Sequence, residues 1–430
     1  MDLQNILNTD KQIHDLILSE QQRQATGMEF IASENYQSKA VLAAQSSVFA
    51  NKYSEGTPGR RYYGGQENTD LMEQLAIDRA TALFGSDHAN VQALSGAAAN
   101  VCIYAGLLEP GDTILGMDLT HGWHLTHGHP VTFMGKIFNF VRYGMKNIAT
   151  GEIDFAQIRK MAHEHKPKII LAWFSAYPRE LDYAKFAEIA AEVGAVAMAD
   201  MSHIWGMIAA GVLTNPFDAG FQVMMTTTHK SLRGPRGSLI LSKGKVGNPL
   251  KKPEDTIENI PTRIDRAVFP GVQWWPHMNT ISAIAVALHE AAQPAFKIYG
   301  EQTIANASTM ADEFLSRGYK LVTGGTDNHM IVLDLSGTQL NGTIVEQALD
   351  EIGISTSKST IPDDPNPPYR PSGLRIGTPA MTTRWLQQDQ IKTVVWRMDT
   401  AFQHYDNKEV LNGLQKEVEQ MSKEFPSPSL

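Results

Sequence analysis

Three side chains in this sequence are of the types and at the places needed to hold a covalent imine. Lys230 follows His229 at the end of the apolar, hydroxyl-rich run QVMMTTT, and a neutral lysine amine adds to an aldehyde. A second run, GAVAMAD, ends on Asp200 and continues through MSH to His203. If both runs are strands of an open α/β sheet, their ends meet where such sheets carry their sites. An amine, a carboxylate and an imidazole there suit pyridoxal phosphate. The lysine would bond its aldehyde, and a buried carboxylate would keep its pyridine nitrogen protonated. A flat imidazole could cover the ring, and cationic and hydroxyl groups near the lysine, including Arg233 and Arg236, could hold the phosphate. In LSGAAAN (94–100), Ser95 and Gly96 offer backbone donors at the start of a helix.

Each element also has a plainer reading. The SG pair suits a tight turn, Asp200 a cap, His203 a core histidine and Lys230 a solvated surface lysine. The convergence of these residues at strand ends favours the site. HGWHLTHGH holds His121, His124, His127 and His129. It has no carboxylate among them and no HExxH spacing, so no metal site is expected.

The elements that must position these residues alternate. LAIDRATALFG reads as a helix closed by Gly85. GDTILGMDL (111–119), KIFNFVRY (136–143), PKIILAWFS (167–175), GAVAMAD (194–200), QVMMTTT (222–228) and GSLILS (237–242) read as short, mostly buried strands. DFAQIRKMAHEH and YAKFAEIAAEVG have helical spacing between them. The pattern predicts an α/β fold with a mostly parallel sheet covered on both faces. The character then changes, predicting a helical arm over 1–25, a large domain over 26–290 and a smaller C-terminal α+β domain over 291–430. Leu411, Leu414, Val418, Met421 and Phe425 step by three and four, as an amphipathic helix packed on a core requires.

With 430 residues, 42% of them apolar, the chain can bury a sizeable core. A net charge of −9 argues against nucleic acid as a partner. No apolar run approaches the roughly 20 residues of a membrane span. The first residues lack the pattern of a secretory signal, and Cys102 is the only cysteine, so a cytoplasmic protein without disulfides is expected.

Longer motifs carry a family resemblance. EFIASENYQS (29–38), NKYSEGTPGRRYYGG (51–65), LEPGDTILGMDLTHG (108–122), HLTHG (124–128), FSAY (174–177), TTTHKSLRGPRG (226–237), AVFPG (267–271), GGTDNHM (324–330) and SGLRIGTPAMT (372–382) occur in order. Over nearly its whole length the chain resembles serine hydroxymethyltransferase. The resemblance implies fold type I of the pyridoxal phosphate enzymes, a site shared across a homodimer or tetramer, and serine or glycine as small-molecule substrate. It also implies tetrahydrofolate as possible co-substrate. Lys230 matches the Schiff-base lysine, Asp200 the partner of the pyridine nitrogen, His203 a ring-stacking histidine and Ser175 a neighbour of the phenolic oxygen. Ser95, Gly96, Ala97 and His229 fall in phosphate-binding motifs. Arg375 matches the arginine that clamps the substrate carboxylate, with Ser33 as its helper. Tyr53 and Glu55 match residues that enter from the partner subunit, Tyr63 a second active-site tyrosine and His124 a catalytic position. Leu119, Trp123 and Ser359 fall in the folate region.

The sequence also departs from the family. GWHLTHG and GVQWWP put Trp123, Trp274 and Trp275 where glycines are usual, and each indole fills about 150–250 Å² of surface. Trp205 stands at a usual alanine, Ala97 at a serine, Ser359 at an asparagine and Pro178 at a serine. Two readings therefore stay open beside the hydroxymethyltransferase: a folate-independent aldolase or transaldolase on β-hydroxy-α-amino acids, and a non-catalytic paralogue that binds or assembles.

Overall fold

The computed structural model describes residues 3–118, 121–122, 126–173 and 175–429. Leu119, Trp123 and His124, implicated above, lie outside the described residues.

The central sheet contains β1 His88–Asn90, β2 Thr113–Met117, β3 Asn139–Tyr143, β4 Ile169–Trp173, β5 Val196–Asp200, β6 Val223–Thr227 and β7 Ser238–Ser242. Its order is β1-β7-β6-β5-β4-β2-β3. Neighbours run parallel except at β7, which is antiparallel to both β6 and β1. β4, β6 and β7 are buried along their whole length. A strand with helices on both faces has no solvent side, so these runs are continuously apolar or hydroxyl-bearing instead of alternating.

Helices Glu67–Phe84, Gly96–Leu107, Phe155–His165 and Tyr183–Val193 connect the strands. Asp154 and Asp182 cap the last two through the backbone N–H groups of Gln157 and Lys185. Gly85 (φ 65°) and Gly194 (φ 69°) end their helices in the left-handed region. The stretch 136–143 differs from its reading as one strand. Thr132 caps a short helix, Phe133–Ile137, and the strand begins only at Asn139.

A second sheet is antiparallel and smaller. β8 Lys320–Leu321, β9 Met330–Asp334, β10 Ser357–Ser359 and β11 Gly373–Gly377 pair in the order β8-β9-β11-β10. The buried apolar residues fall into two principal clusters. One runs from Ala76 to Tyr299 around the central sheet. The other joins the second sheet to Leu411, Leu414, Val418 and Met421 of the helix Lys408–Glu424, with Phe425 packed at its edge.

The N-terminal helices, Gln4–Thr9 and Lys11–Thr26, bury none of their residues. Beyond them Met28–Glu29 pairs in parallel with Ile354–Ser355, which carries Met28, Phe30 and Tyr36 into the second cluster. The buried Arg384 guanidinium ties the two ends of the chain together. It donates to the carbonyls of Gln24 and Gly27 on one side and of Ser422 and Phe425 on the other. Among the described residues no helix is long and apolar enough to cross a membrane.

Candidate active site

β5 ends on Asp200, and the chain leaving β6 reaches Lys230 three residues later. The strands are parallel neighbours, with Asp200 opposite Met225, so both residues lie at the same edge of the sheet. Beyond β6 the chain folds back on itself. Thr228 Oγ1 donates to the Pro235 carbonyl at 2.6 Å, and Gly234 N donates to the Thr228 carbonyl at 2.8 Å. Ser231 Oγ donates to the His203 carbonyl at 2.8 Å and accepts from Gly206 N at 2.9 Å. The lysine loop is thereby fastened to the segment that follows Asp200.

Lys230 is 9% exposed. Burial lowers its pKa to about 8; Arg375 and Arg236 push the same way, and the Asp200 charge opposes them. An amine in that range is substantially neutral near pH 8 and can act as a nucleophile. Asp200 is almost fully buried, and both its oxygens are engaged. Oδ1 accepts from Ser202 N and Ser202 Oγ, at 3.1 and 2.6 Å. Oδ2 lies 3.1 Å from His127 Nε2 and 3.3 Å from Asn100 Nδ2.

Arg375 comes from the other sheet, from the middle of β11 between Val332 and Ser357. Its Nη1 donates to the Ser175 carbonyl at 2.9 Å, while Nε is buried without a hydrogen-bond partner. Burial lowers the guanidinium to about 10, still charged at neutral pH. Beside it, His329 Nε2 is 3.4 Å from His203 Nδ1, with the rings nearly parallel at 5.6 Å. Burial first, then Arg375 and Lys230, depress His329 to about 3, so this imidazole stays neutral. Ser33 follows Ala32, which packs against Gly377 at the end of β11. Gly377 N also donates to the Phe30 carbonyl at 2.8 Å.

Ser95 caps the twelve-residue helix Gly96–Leu107, accepting from Ala98 N. A Cβ at Gly96 would lie 2.7 Å from Thr227 Cγ2, so only glycine lets the helix start this close to the end of β6. Thr227 Oγ1 and His229 Nδ1, on β6 and just after it, are buried without a hydrogen-bond partner among the described residues. His229 is held down to about 3, chiefly by burial and then by Lys230 and Arg236. Ala97, exposed at the helix start, has no hydroxyl to add. Arg233 is directed elsewhere: its guanidinium lies over the rings of Tyr299 and Phe296, at 4.5 and 5.1 Å. Cation–π attraction takes that charge away from the phosphate expected of it, leaving Arg236 as the loop's contribution.

The serine hydroxymethyltransferase family profile matches residues 6–398. The chain belongs to this family. Serine hydroxymethyltransferases have the type I pyridoxal phosphate fold seen here, depend on that cofactor and usually take folate as co-substrate. The residues present fit the cofactor. The orphaned Thr227 hydroxyl, on the residue packed against the helix start at Gly96, and the orphaned His229 nitrogen two residues on suit a phosphate, and the buried Lys230 amine near Asp200 suits an aldehyde carbon and a pyridine nitrogen.

Tyr53, Glu55 and Tyr63 form a separate, outward-facing group. Tyr53 Oη donates to Glu55 Oε1 at 3.1 Å, and Tyr63 Oη lies 3.5 Å from Oε2. Glu55 is buried, whereas Tyr53, Tyr62, Tyr63, Trp274 and Trp275 are each about half exposed. Trp275 lies against Tyr53 with ring centroids 5.4 Å apart. Gln273, just before the tryptophans, bonds Leu94 N and the Gln92 carbonyl, joining this group to the segment ahead of Ser95. Ser359 sits on β10, opposite Gly373. Trp205 and Trp173 are buried. Trp205 is fully buried and stacked on Phe84 at 3.6 Å, and Trp173 donates from Nε1 to the Gly122 carbonyl.

The histidine-rich segment is spread over separate tasks. His121 Nδ1 accepts from Met145 N, and His129 Nδ1 accepts from Val131 N, while His127 faces Asp200. Among the described residues no three potential metal ligands converge. Sequence reasoning missed His127, Asn100 and Tyr104 as partners of the site, and also His329. The only available signals were the position of His127 in HLTHG and of His329 in GGTDNHM.

Proposed function

We propose that the protein transfers the hydroxymethyl group of serine reversibly to tetrahydrofolate, leaving glycine. The observation that carries this reading is the buried Lys230 amine at the sheet edge where Asp200 ends the neighbouring strand. Bound pyridoxal phosphate supplies an electron sink for the charge left on the substrate α-carbon. Lys230 would hold the cofactor covalently, and Asp200 would accept a hydrogen bond from its pyridine nitrogen. Ser95, Gly96, Thr227 and His229 would receive the phosphate, and His203 would lie against the ring. Arg375, helped by Ser33, grips the amino-acid carboxylate through its two-pronged fork. Its Nε, without a partner among the described residues, is a donor left for that carboxylate. Glu55, held by Tyr53 and Tyr63, moves the proton of the substrate hydroxyl, reaching the site from a partner subunit. His124 belongs to the same catalytic set, and Leu119, Trp123 and Ser359 belong to the folate region.

One observation favours a second reading. Trp275 lies against Tyr53 where the family has glycine, which narrows the room beside Glu55. A folate-independent aldolase or transaldolase would tolerate that. Exchange of the glycine α-proton with solvent, followed with and without tetrahydrofolate, separates the two. Acceleration by folate, with serine formed when a one-carbon donor is present, is the expected result. Exchange that folate leaves unchanged sinks the transferase and leaves the aldolase. No visible cofactor absorbance, in a protein where Lys230→Ala also has none, sinks both in favour of a non-catalytic role.

A further inference from the structure

We propose that Tyr104 is a positioning residue for Asp200, acting through His127 by donating to its Nδ1 and so keeping its Nε2–H turned to the carboxylate. Tyr104 lies on the helix Gly96–Leu107, two turns beyond the start that is assigned to the phosphate. Its Oη is 2.6 Å from His127 Nδ1, and His127 Nε2 is 3.1 Å from Asp200 Oδ2. Tyr104, His127 and Asp200 are at most 1% exposed, so none can turn to solvent for a substitute partner.

The proton count allows one arrangement. Burial and the Asp200 charge raise Tyr104 well above the ordinary tyrosine value, so the phenol keeps its proton. That proton has one acceptor among the described residues, the Nδ1 lone pair. Nδ1 is therefore unprotonated, and the imidazole proton sits on Nε2, pointing at the carboxylate. The opposite tautomer would leave the phenol proton buried without an acceptor and set an Nε2 lone pair against Asp200. Asn100 Nδ2, 3.5 Å from Nε2, could donate to that lone pair, but the misplaced phenol proton would remain. The ring cannot swivel to escape. Trp173 packs edge-on against it at 4.8 Å, and Trp173 is itself pinned to the Gly122 carbonyl. Phe138 and Phe140 pack edge-on against Tyr104, at 6.1 and 6.0 Å.

The consequence reaches the site through Asp200. With Nε2–H, Asn100 and Ser202 donating to it, the carboxylate is fixed in place. A fixed carboxylate is what a pyridine N–H requires, so the inference rests on the cofactor reading given above. Without the phenol, the Nδ1 lone pair would lose its donor and the imidazole one of the two bonds that set its orientation.

The test uses full-length, cofactor-free protein labelled with 15N-histidine, with His127 identified by the signal lost in His127→Asn. In the parent, His127 should give one protonated Nε2 and one unprotonated Nδ1. Tyr104→Phe should keep Nε2–H, which Asp200 still faces, but move the Nδ1 resonance through loss of its donor, and its pyridoxal phosphate affinity should fall roughly tenfold. In the His127→Asn background the same substitution should change affinity little, since the two act in series. A protonated Nδ1 in the parent overturns the proposal. So does a Tyr104→Phe protein with an unaltered Nδ1 resonance, or one whose affinity loss is equally large without His127. Because the tautomer is read without cofactor, a parent protein with the expected tautomer that fails to bind pyridoxal phosphate counts against the cofactor reading alone.

Discussion

At Lys230 desolvation outweighs attraction. Asp200 would raise the amine, yet the pKa falls from 10.5 to about 8 because burial removes the water that stabilises the cation. The sign of the pH effect follows. Between about 8 and 10.5 the unfolded chain holds a proton that the folded chain has released, so this lysine's contribution to stability rises with pH across that window. The chemical consequence is easier to measure. Capture of pyridoxal phosphate by cofactor-free protein, followed by stopped-flow absorbance, should quicken with pH and level off above about 8. A rate still climbing toward the ordinary lysine value of 10.5 would mean that the amine is solvated. Lys230 and Asp200 were legible in the sequence because each closes a buried strand, and the ends of parallel strands share an edge. The bond between His127 and Asp200 was not, since four histidines within nine residues suggest metal binding before they suggest separate hydrogen bonds.

The segments that carry these residues interlock with little clearance. Gly206 lies in the short helix Trp205–Ala209, and a Cβ there would fall 2.4 Å from the Ser231 carbonyl oxygen and 2.5 Å from its carbon. Backbone on both sides leaves nothing flexible to yield. Gly206→Ala should therefore cost about 1–3 kcal/mol in denaturant unfolding and weaken cofactor binding by shifting the lysine loop. Gly413, in the helix Lys408–Glu424 with nothing within 4 Å of an added Cβ, provides the contrast. Gly413→Ala should stabilise by about 0.5–1 kcal/mol. Equal effects at the two positions would refute the steric argument. Buried strands, caps and the C-terminal stripe were readable at this scale because periodicity and cap residues are local properties. The reversal of β7 was not, because a fully buried strand has the same apolar run in either direction. The helix Phe133–Ile137 was hidden for a related reason: its apolar residues merge with those of the strand after it.

Over the whole molecule, the half-exposed aromatics around Glu55 form a surface suited to a second copy of the chain. If Glu55 serves the neighbouring subunit's Lys230, chains carrying Lys230→Ala and chains carrying Glu55→Gln should each be inactive alone. Unfolded together and refolded, they should regain about a quarter of the parent activity, because half of a random set of dimers is mixed and each mixed dimer has one intact site of two. Activity that stays at the sum of the separate mutants would place Glu55 in the site of its own chain.

Arg384 and the pairing of Met28–Glu29 with Ile354–Ser355 also bear on the order of synthesis. The larger cluster draws on residues between Ala76 and Tyr299, all of them made before the second sheet. Met28, Phe30 and Tyr36 are made earlier still, yet the partners they pack against lie beyond residue 309. Lys230 and Asp200 can thus be in place before Arg375 exists. A nascent chain would own the half of the pocket that holds a cofactor before it owned the half that chooses an amino acid.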